Sequence, residues 1–237
     1  MNESPLNPVT MLSVRGTAER IVAPDYAVLS GELVLRRGSK PEALDAAARE
    51  LDSLTTALGR LGGVALDLNT GRVPLTWSAR SVSTHAERDH DKRTGRYELT
   101  GTIIASVSLA ITVRQLDLLG DIGSALAGQQ QLELHQTRWG ADEDNAGWPL
   151  VRAEAIRAAL RKGRDYADAL GGRVVEVQHI ADVGLLSGDE SLALRGPAPV
   201  EAASIGGTGD SPTLDPVPQT LRATIEARLL ATGVAPG

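Results

Sequence analysis

The segment YELTGTIIASVSLAITV, from Tyr97 to Val113, decides the fold class. Every second residue, starting with Tyr97, is apolar or is glycine, and the residues between them are mostly Thr and Ser. Successive side chains of a strand point to opposite faces, so this alternation predicts one long β-strand with a single face in a core. Such strands favour an antiparallel sheet, because antiparallel sheets often bury only one face.

Further segments alternate in the same way and predict additional strands. These segments are Leu12–Ala18, Ala27–Leu35, Leu132–Trp139, Val175–Val183 and Leu221–Leu229. The first two are separated only by a turn at Pro24 and Asp25, so we expect them to pair with each other.

Two long segments have the periodicity of amphipathic helices. Ser39 and Glu42 fit a capping box, and apolar residues at spacings of three and four, mostly leucines, follow from Leu44 to Leu61. A second helix is expected from Pro149 to Leu170, where Gly171 and Gly172 end it. The sequence therefore predicts an α+β protein in which an antiparallel sheet carries long amphipathic helices on one face.

The order of elements suggests an internal repeat and a single domain. Strand, helix and strand follow one another from Tyr26 to Trp77 and again from Tyr97 to Trp139, a possible β-α-β repeat. We expect a disordered tail at residues 1–10, one domain at 11–232 and a C-terminal tail at 233–237. Residues 185–216 are rich in Gly, Pro, Ser, Ala and Asp, which predicts a flexible loop within the domain.

The composition excludes several classes of function. The formal net charge of -6 and an aromatic content of 3% argue against a nucleic-acid partner, which needs positive charge and stacking platforms. The chain contains no cysteine, so disulfides and every cysteine-ligated metal site are excluded. No uninterrupted apolar stretch of about 18 residues occurs, and we therefore expect no membrane span.

The N-terminal sequence MNESPLNPVT contains an acidic residue and two prolines but lacks the basic and apolar regions of a secretory signal. We therefore expect a cytoplasmic protein, with a periplasmic or envelope location only if a signal was removed. The familiar motifs of hydrolases, zinc proteases and nucleotide-binding loops are missing from the sequence. No catalytic, metal-binding or cofactor-binding residue is assigned, and no cofactor is expected.

Several short motifs occur in the order found in the SIMPL domain family, which the chain resembles from Met11 to Thr232. The motifs are Gly16-Thr17-Ala18, Pro24-Asp25-Tyr26-Ala27, Gly95-Arg96-Tyr97, Leu116-Asp117-Leu118-Leu119-Gly120 and Gly171-Gly172. The family is best known from bacterial immunogens of the cell envelope. The resemblance implies a non-enzymatic α+β protein linked to oxidative-stress defence, and a periplasmic member of the family assembles into a channel-like ring.

The charged segment from Ser83 to Arg96 is interpreted as an exposed hairpin loop. It contains possible metal ligands at His85, Asp89, His90 and Asp91, since imidazole and carboxylate suit zinc or manganese. Basic residues lie among them, and a solvated loop is the simpler interpretation. A metal-dependent enzyme or metal binder that uses the His85–His90 loop remains an alternative, as does a small-molecule carrier with its ligand between sheet and helices.

The second face of the long strand provides the candidate functional site. Thr102, Ile104, Ser106, Ser108 and Ala110 lie on this face, which carries no charge along this stretch. Depletion of charge marks the core of protein interfaces, although Thr also suits an exposed strand. We therefore expect a non-catalytic binding or assembly protein that forms a homo-oligomer through this face, with any other protein partner unknown.

Overall fold

The computed structural model describes residues 9–92, 95–185 and 214–234. The chain forms two compact units, the first from residues 1–22, 141–203 and 218–237 and the second from residues 23–140 and 204–217. Residues 1–8, 93–94, 186–213 and 235–237 lie outside the described residues. These residues include most of the expected N-terminal tail, C-terminal tail and flexible loop. One domain spanning residues 11–232 therefore stays a prediction.

Eight strands and three α-helices follow one another along the described part of the chain, with a short 3₁₀ helix at Leu116–Leu118. They are β1 (Val9–Val22), β2 (Tyr26–Arg37), α1 (Lys40–Arg60), β3 (Val64–Ala65), β4 (Leu75–Asp91), β5 (Arg96–Val113), α2 (Leu119–Ala127), β6 (Leu132–Gly140), α3 (Gly147–Ala169), β7 (Arg173–Asp182) and β8 (Gln219–Thr232). The α+β class predicted from the sequence is confirmed, with the strands divided between two sheets.

The second unit contains a five-stranded sheet in the order β3-β4-β5-β2-β6. The chain passes from β2 through α1 to β4, and β5 lies between these two strands. It passes from β5 through α2 to β6 in the same manner, with β2 between them. Two interleaved β-α-β segments of this kind form the ferredoxin-like β-α-β-β-α-β arrangement, so the repeat suspected from the sequence has a counterpart in the topology.

Helix α1 forms where its cap and its apolar spacing predict it. The Ser39 hydroxyl accepts a hydrogen bond of 3.4 Å from the Glu42 amide, as expected of an N-cap residue. Leu54 and Leu58 are fully buried against the sheet, whereas Leu51 is only half-buried. Three alanines near the start of the helix complete its buried side: Ala43, Ala46 and Ala47.

The first unit contains a three-stranded antiparallel sheet in the order β1-β8-β7, with α3 packed on one face. The expectation that the first two strands pair with each other is wrong, because β1 pairs with β8 along its whole length. Small residues of α3 permit this close packing, since Ala155 and Ala159 lie directly against Gly16 of β1. A Cβ atom on Gly16 would overlap the Ala155 carbonyl and the Ala159 amide.

The expected hairpin loop from Ser83 to Arg96 is also wrong over most of its length. Residues as far as Asp91 belong to β4, which pairs with β5, and Gly95 adopts a positive φ of 70° in the connection. Register shifts between Ala79 and Ser81 and between Ala86 and Arg88 interrupt the alternation of side chains. The charged composition and these two bulges together conceal the strand from a periodicity argument.

Candidate functional site

The five candidate interface residues lie on β5. The alternate residues of β5 form a core with apolar residues of α1 and α2, so the candidate side chains lie on the face of the sheet away from these helices. Neighbouring strands extend this face in register. Ser106 lies between Ser83 of β4 and Val34 of β2, and Ala110 lies between Ser78 and Ser30. We call this the hydroxyl face, defined by Ser30, Val34, Thr76, Ser78, Ser81, Ser83, Thr102, Ile104, Ser106, Ser108, Ala110 and Thr112.

The centre of the hydroxyl face is more covered than its sequence suggests. Ile104, Ser106 and Ala110 are only 8%, 6% and 5% exposed, while Thr102 and Ser108 are half-buried. Their strand has a hydrogen-bonded neighbour on each side, so small side chains lie between two rows of other residues. These three residues would lose little area on assembly, and a partner would gain more contact from the residues around them.

Charged groups lie near one end of the hydroxyl face and also within it. Arg36 and Glu87 form an ion pair of 3.3 Å, and the Thr100 hydroxyl donates a hydrogen bond of 3.1 Å to the same carboxylate. Glu32 of β2 lies opposite Ser108, and its carboxylate is 4.0 Å from Nε2 of His135 on β6. The uncharged row of β5 therefore has a carboxylate beside it on β2 and an ion pair near one end, which β5 alone did not reveal.

The histidines proposed as metal ligands are separated by the strand geometry. His85 lies opposite Ile104. His90 lies opposite Tyr97, and the ring centroids of His90 and Tyr97 are 5.0 Å apart. Five residues of extended chain span about 16 Å, which is too far for two ligands of one ion. Among the described residues, no group of three or more His, Asp or Glu side chains is placed to hold a metal.

A shallow groove of mixed polar and apolar surface lies beside α2 and has the size of a small-molecule site. Its volume is about 460 Å³. The lining residues are Leu116, Leu119, Gly120, Gly123, Leu214, Asp215 and Pro216. The groove does not lie between sheet and helix, where the carrier alternative requires its ligand, and polar groups that would orient a ligand are limited to Asp215 and the backbone.

The turn after β3 contains a carboxyl group with a shifted pKa. The Thr70 hydroxyl and the Asn69 amide donate hydrogen bonds of 2.8 Å and 2.7 Å to the Asp67 carboxylate, and these bonds hold its pKa below the usual value. The group is exposed and its partners are those of a local turn. The shift therefore reflects turn structure rather than catalysis.

Within the described ranges, no helix combines the length and the hydropathy needed to cross a membrane. A comparison with curated proteins finds no match. The family model named SIMPL, described as a protein of unknown function (DUF541), matches residues 12–229 and so includes parts of both units. On this match over most of its length, the chain belongs to the SIMPL family.

Proposed function

We propose that this chain is a non-catalytic assembly protein that forms homo-oligomers through the hydroxyl face of its second unit. The observation that carries the proposal is the arrangement of this face, in which small uncharged side chains of β5 lie opposite the serines Ser78, Ser81 and Ser83 of β4. Cores of protein interfaces are depleted of charge, and their rims are polar. The ion pair of Arg36 with Glu87 provides such a rim.

The size of the face determines how strong this contact can be. Three strands at about 4.8 Å spacing and nine residues at about 3.3 Å rise define an area of roughly 400 Å² per copy. A standard stable interface buries about 800 Å² per partner. The hydroxyl face therefore supports a weak contact by itself, and a stable ring would need a second contact elsewhere on the chain.

Replacement of Ser108 by arginine is expected to weaken this contact. Ser108 is half-buried at the centre of the face, between Ser81 of β4 and Glu32 of β2, so a long side chain there would lie between approaching surfaces. We expect the dissociation constant of the oligomer to rise about tenfold or more, because the long side chain would hold the two approaching surfaces apart. Sedimentation velocity across a concentration series measures this change.

Ser53→Arg provides the matched control, since Ser53 is an exposed position of α1 on the other side of the sheet. Circular dichroism should show both variants folded. An oligomer that is equally strong in Ser108→Arg and in the wild-type chain would exclude the hydroxyl face as the interface. Ser108 is preferred to Ser106 as the test position, because Ser106 is buried. A substitution at a buried position could unfold the chain, and loss of folding could then be mistaken for loss of assembly.

The resemblance to stress-defence proteins supports a role for the assembly in resistance to oxidants. We expect a strain lacking the gene to survive peroxide less well, and the wild-type gene to restore survival. Ser108→Arg, expressed at the same level, should restore it only in part if assembly is needed. Equal survival of the deletion and parent strains would remove the link to oxidative stress without affecting the assembly proposal.

A further inference from the structure

The edges of the two sheets differ in how they are protected against pairing with another chain. Natural edge strands are blunted by bulges, charges, covering elements or short length. The pairings of β4, β6 and β7 each contain register shifts, and β3 is only two residues long. The pairing of β1 with β8 is regular through all 14 residues of β1, whose other side has no strand beside it among the described residues.

We propose that β1 pairs in antiparallel fashion with β1 of a second copy, around a two-fold axis at Thr17. The pairing would join two three-stranded sheets in the order β7-β8-β1-β1-β8-β7. No described strand pairs with the backbone donors and acceptors on the outer edge of β1, and the second copy would supply partners for them. This contact lies in the first unit and is independent of the hydroxyl face.

Charge complementarity selects the register. Directly opposed residues of antiparallel strands have their side chains on the same face of the sheet. The two copies of α3 therefore lie on the same face of the joined sheet only if the two-fold axis passes through a residue position and not between two residues. An axis at Arg15 or Glu19 sets like charges opposite each other, which is destabilising. An axis at Gly16 or Ala18 places Arg15 and Glu19 opposite neutral residues. Only an axis at Thr17 places Arg15 opposite Glu19 of the second copy.

The same register extends ion pairs that already exist within one chain. Arg15 lies 2.7 Å from the Glu226 carboxylate, and Arg222 lies 3.6 Å from the Glu19 carboxylate. Across the dimer, the order would be Glu226, Arg15, Glu19 of the second copy and Arg222 of the second copy. Charges therefore alternate in sign along this row, and the two-fold axis produces the row twice. Networks of this kind contribute more than isolated surface pairs.

The position of helix α3 over the sheet determines how closely a second copy can approach. It packs over both β1 and β8, as its contacts with residues of the two strands show. Strands are about 4.8 Å apart, so a helix axis midway between β1 and β8 would lie about 10 Å from the helix axis of the second copy. Packed helices are separated by 8 to 10 Å, so the dimer requires α3 to lie no closer to β1 than this midway position.

Cysteine cross-linking tests the register directly, because the chain has no cysteine of its own. Thr17 is exposed, and opposed residues of antiparallel strands have Cα atoms about 4.5 to 5.5 Å apart, within the range of a disulfide. Thr17→Cys should form a disulfide-linked dimer under mild oxidation. Ser13→Cys is the control on the same face, because the register places the two copies of residue 13 about 27 Å apart.

We expect at least about tenfold more cross-linked dimer from Thr17→Cys than from Ser13→Cys on a non-reducing gel. Ser13→Cys combined with Ile21→Cys should cross-link, because the register sets these residues opposite each other, whereas either variant alone should not. This second pair also decides the result if Thr17→Cys fails to fold. Equal, low cross-linking in all of these variants overturns the proposal. Persistence of the Thr17 cross-link in Ser108→Arg would show that the two contacts are separate.

Discussion

Replacement of Gly16 by alanine should destabilise the first unit by about 3 kcal/mol or more. The added Cβ would overlap the backbone carbonyl of Ala155 and the backbone amide of Ala159 on α3. Backbone atoms cannot rotate away as a side chain can, so the helix would have to move off the sheet. That movement would open the packing around Leu229, which is fully buried in the same core. Denaturant titration of the purified variant measures the loss.

Gly59→Ala is the matched control for this prediction. Gly59 lies in α1, and a Cβ atom there would meet no other atom within 4 Å. Alanine favours helix over glycine, so this variant should be as stable as the wild-type chain or more stable by about 0.5 kcal/mol. A Gly16→Ala protein with wild-type stability would show that α3 does not pack on β1 as described.

Truncation of Leu54 to alanine should cost about 2 to 5 kcal/mol. Its side chain is only 1% exposed and lies in the core between α1 and the five-stranded sheet. Leu51→Ala should cost less, because Leu51 is half-buried, although the leucine spacing alone gives the two residues equal weight. Thermal or denaturant unfolding of the two variants should rank them in this order.

Arg49→Ala and Asp45→Ala serve as controls on the exposed side of the same helix. Each should change stability by no more than about 0.5 kcal/mol, since neither residue is buried. Losses of similar size in Leu54→Ala and Arg49→Ala would contradict the assignment of the buried side of α1.

Local sequence patterns were sufficient to predict most of the strands and helices. The alternation of Tyr97–Val113 predicted β5 to within one residue of its observed start, and the Ser39 cap predicted the start of α1. Both signals depend on neighbours in the sequence, where the period of the side chains is visible. The burial of the helix also followed its periodicity, apart from the greater role of alanines at its start.

Pairing partners could not be predicted in the same way. Strand β1 pairs with β8, and Arg15 forms its ion pair with Glu226 at a separation of 211 residues in sequence. Each strand shows one apolar face, but nothing in that pattern says which other apolar strand completes the sheet. Sequence adjacency therefore suggested β2 as the partner, and the division into two sheets was missed.

The candidate site was predicted only as far as one strand shows it. The small uncharged residues of β5 were visible in the sequence, whereas the contribution of Ser81 and Ser83 was hidden by the bulge after Ala79. The charges that border the face also come from other strands, as Arg36 and Glu87 do. A surface built from three strands requires the register between them, which composition and periodicity do not contain.

The mass of the wild-type chain in solution tests the central claim most directly. One chain has a mass of 24.9 kDa. We predict that light scattering coupled to size exclusion, at micromolar concentration, gives a multiple of this mass. If both the β1 edge and the hydroxyl face join copies through two-fold axes, a closed assembly has an even number of chains. A mass of one chain over the whole concentration range would contradict the account of an assembly protein.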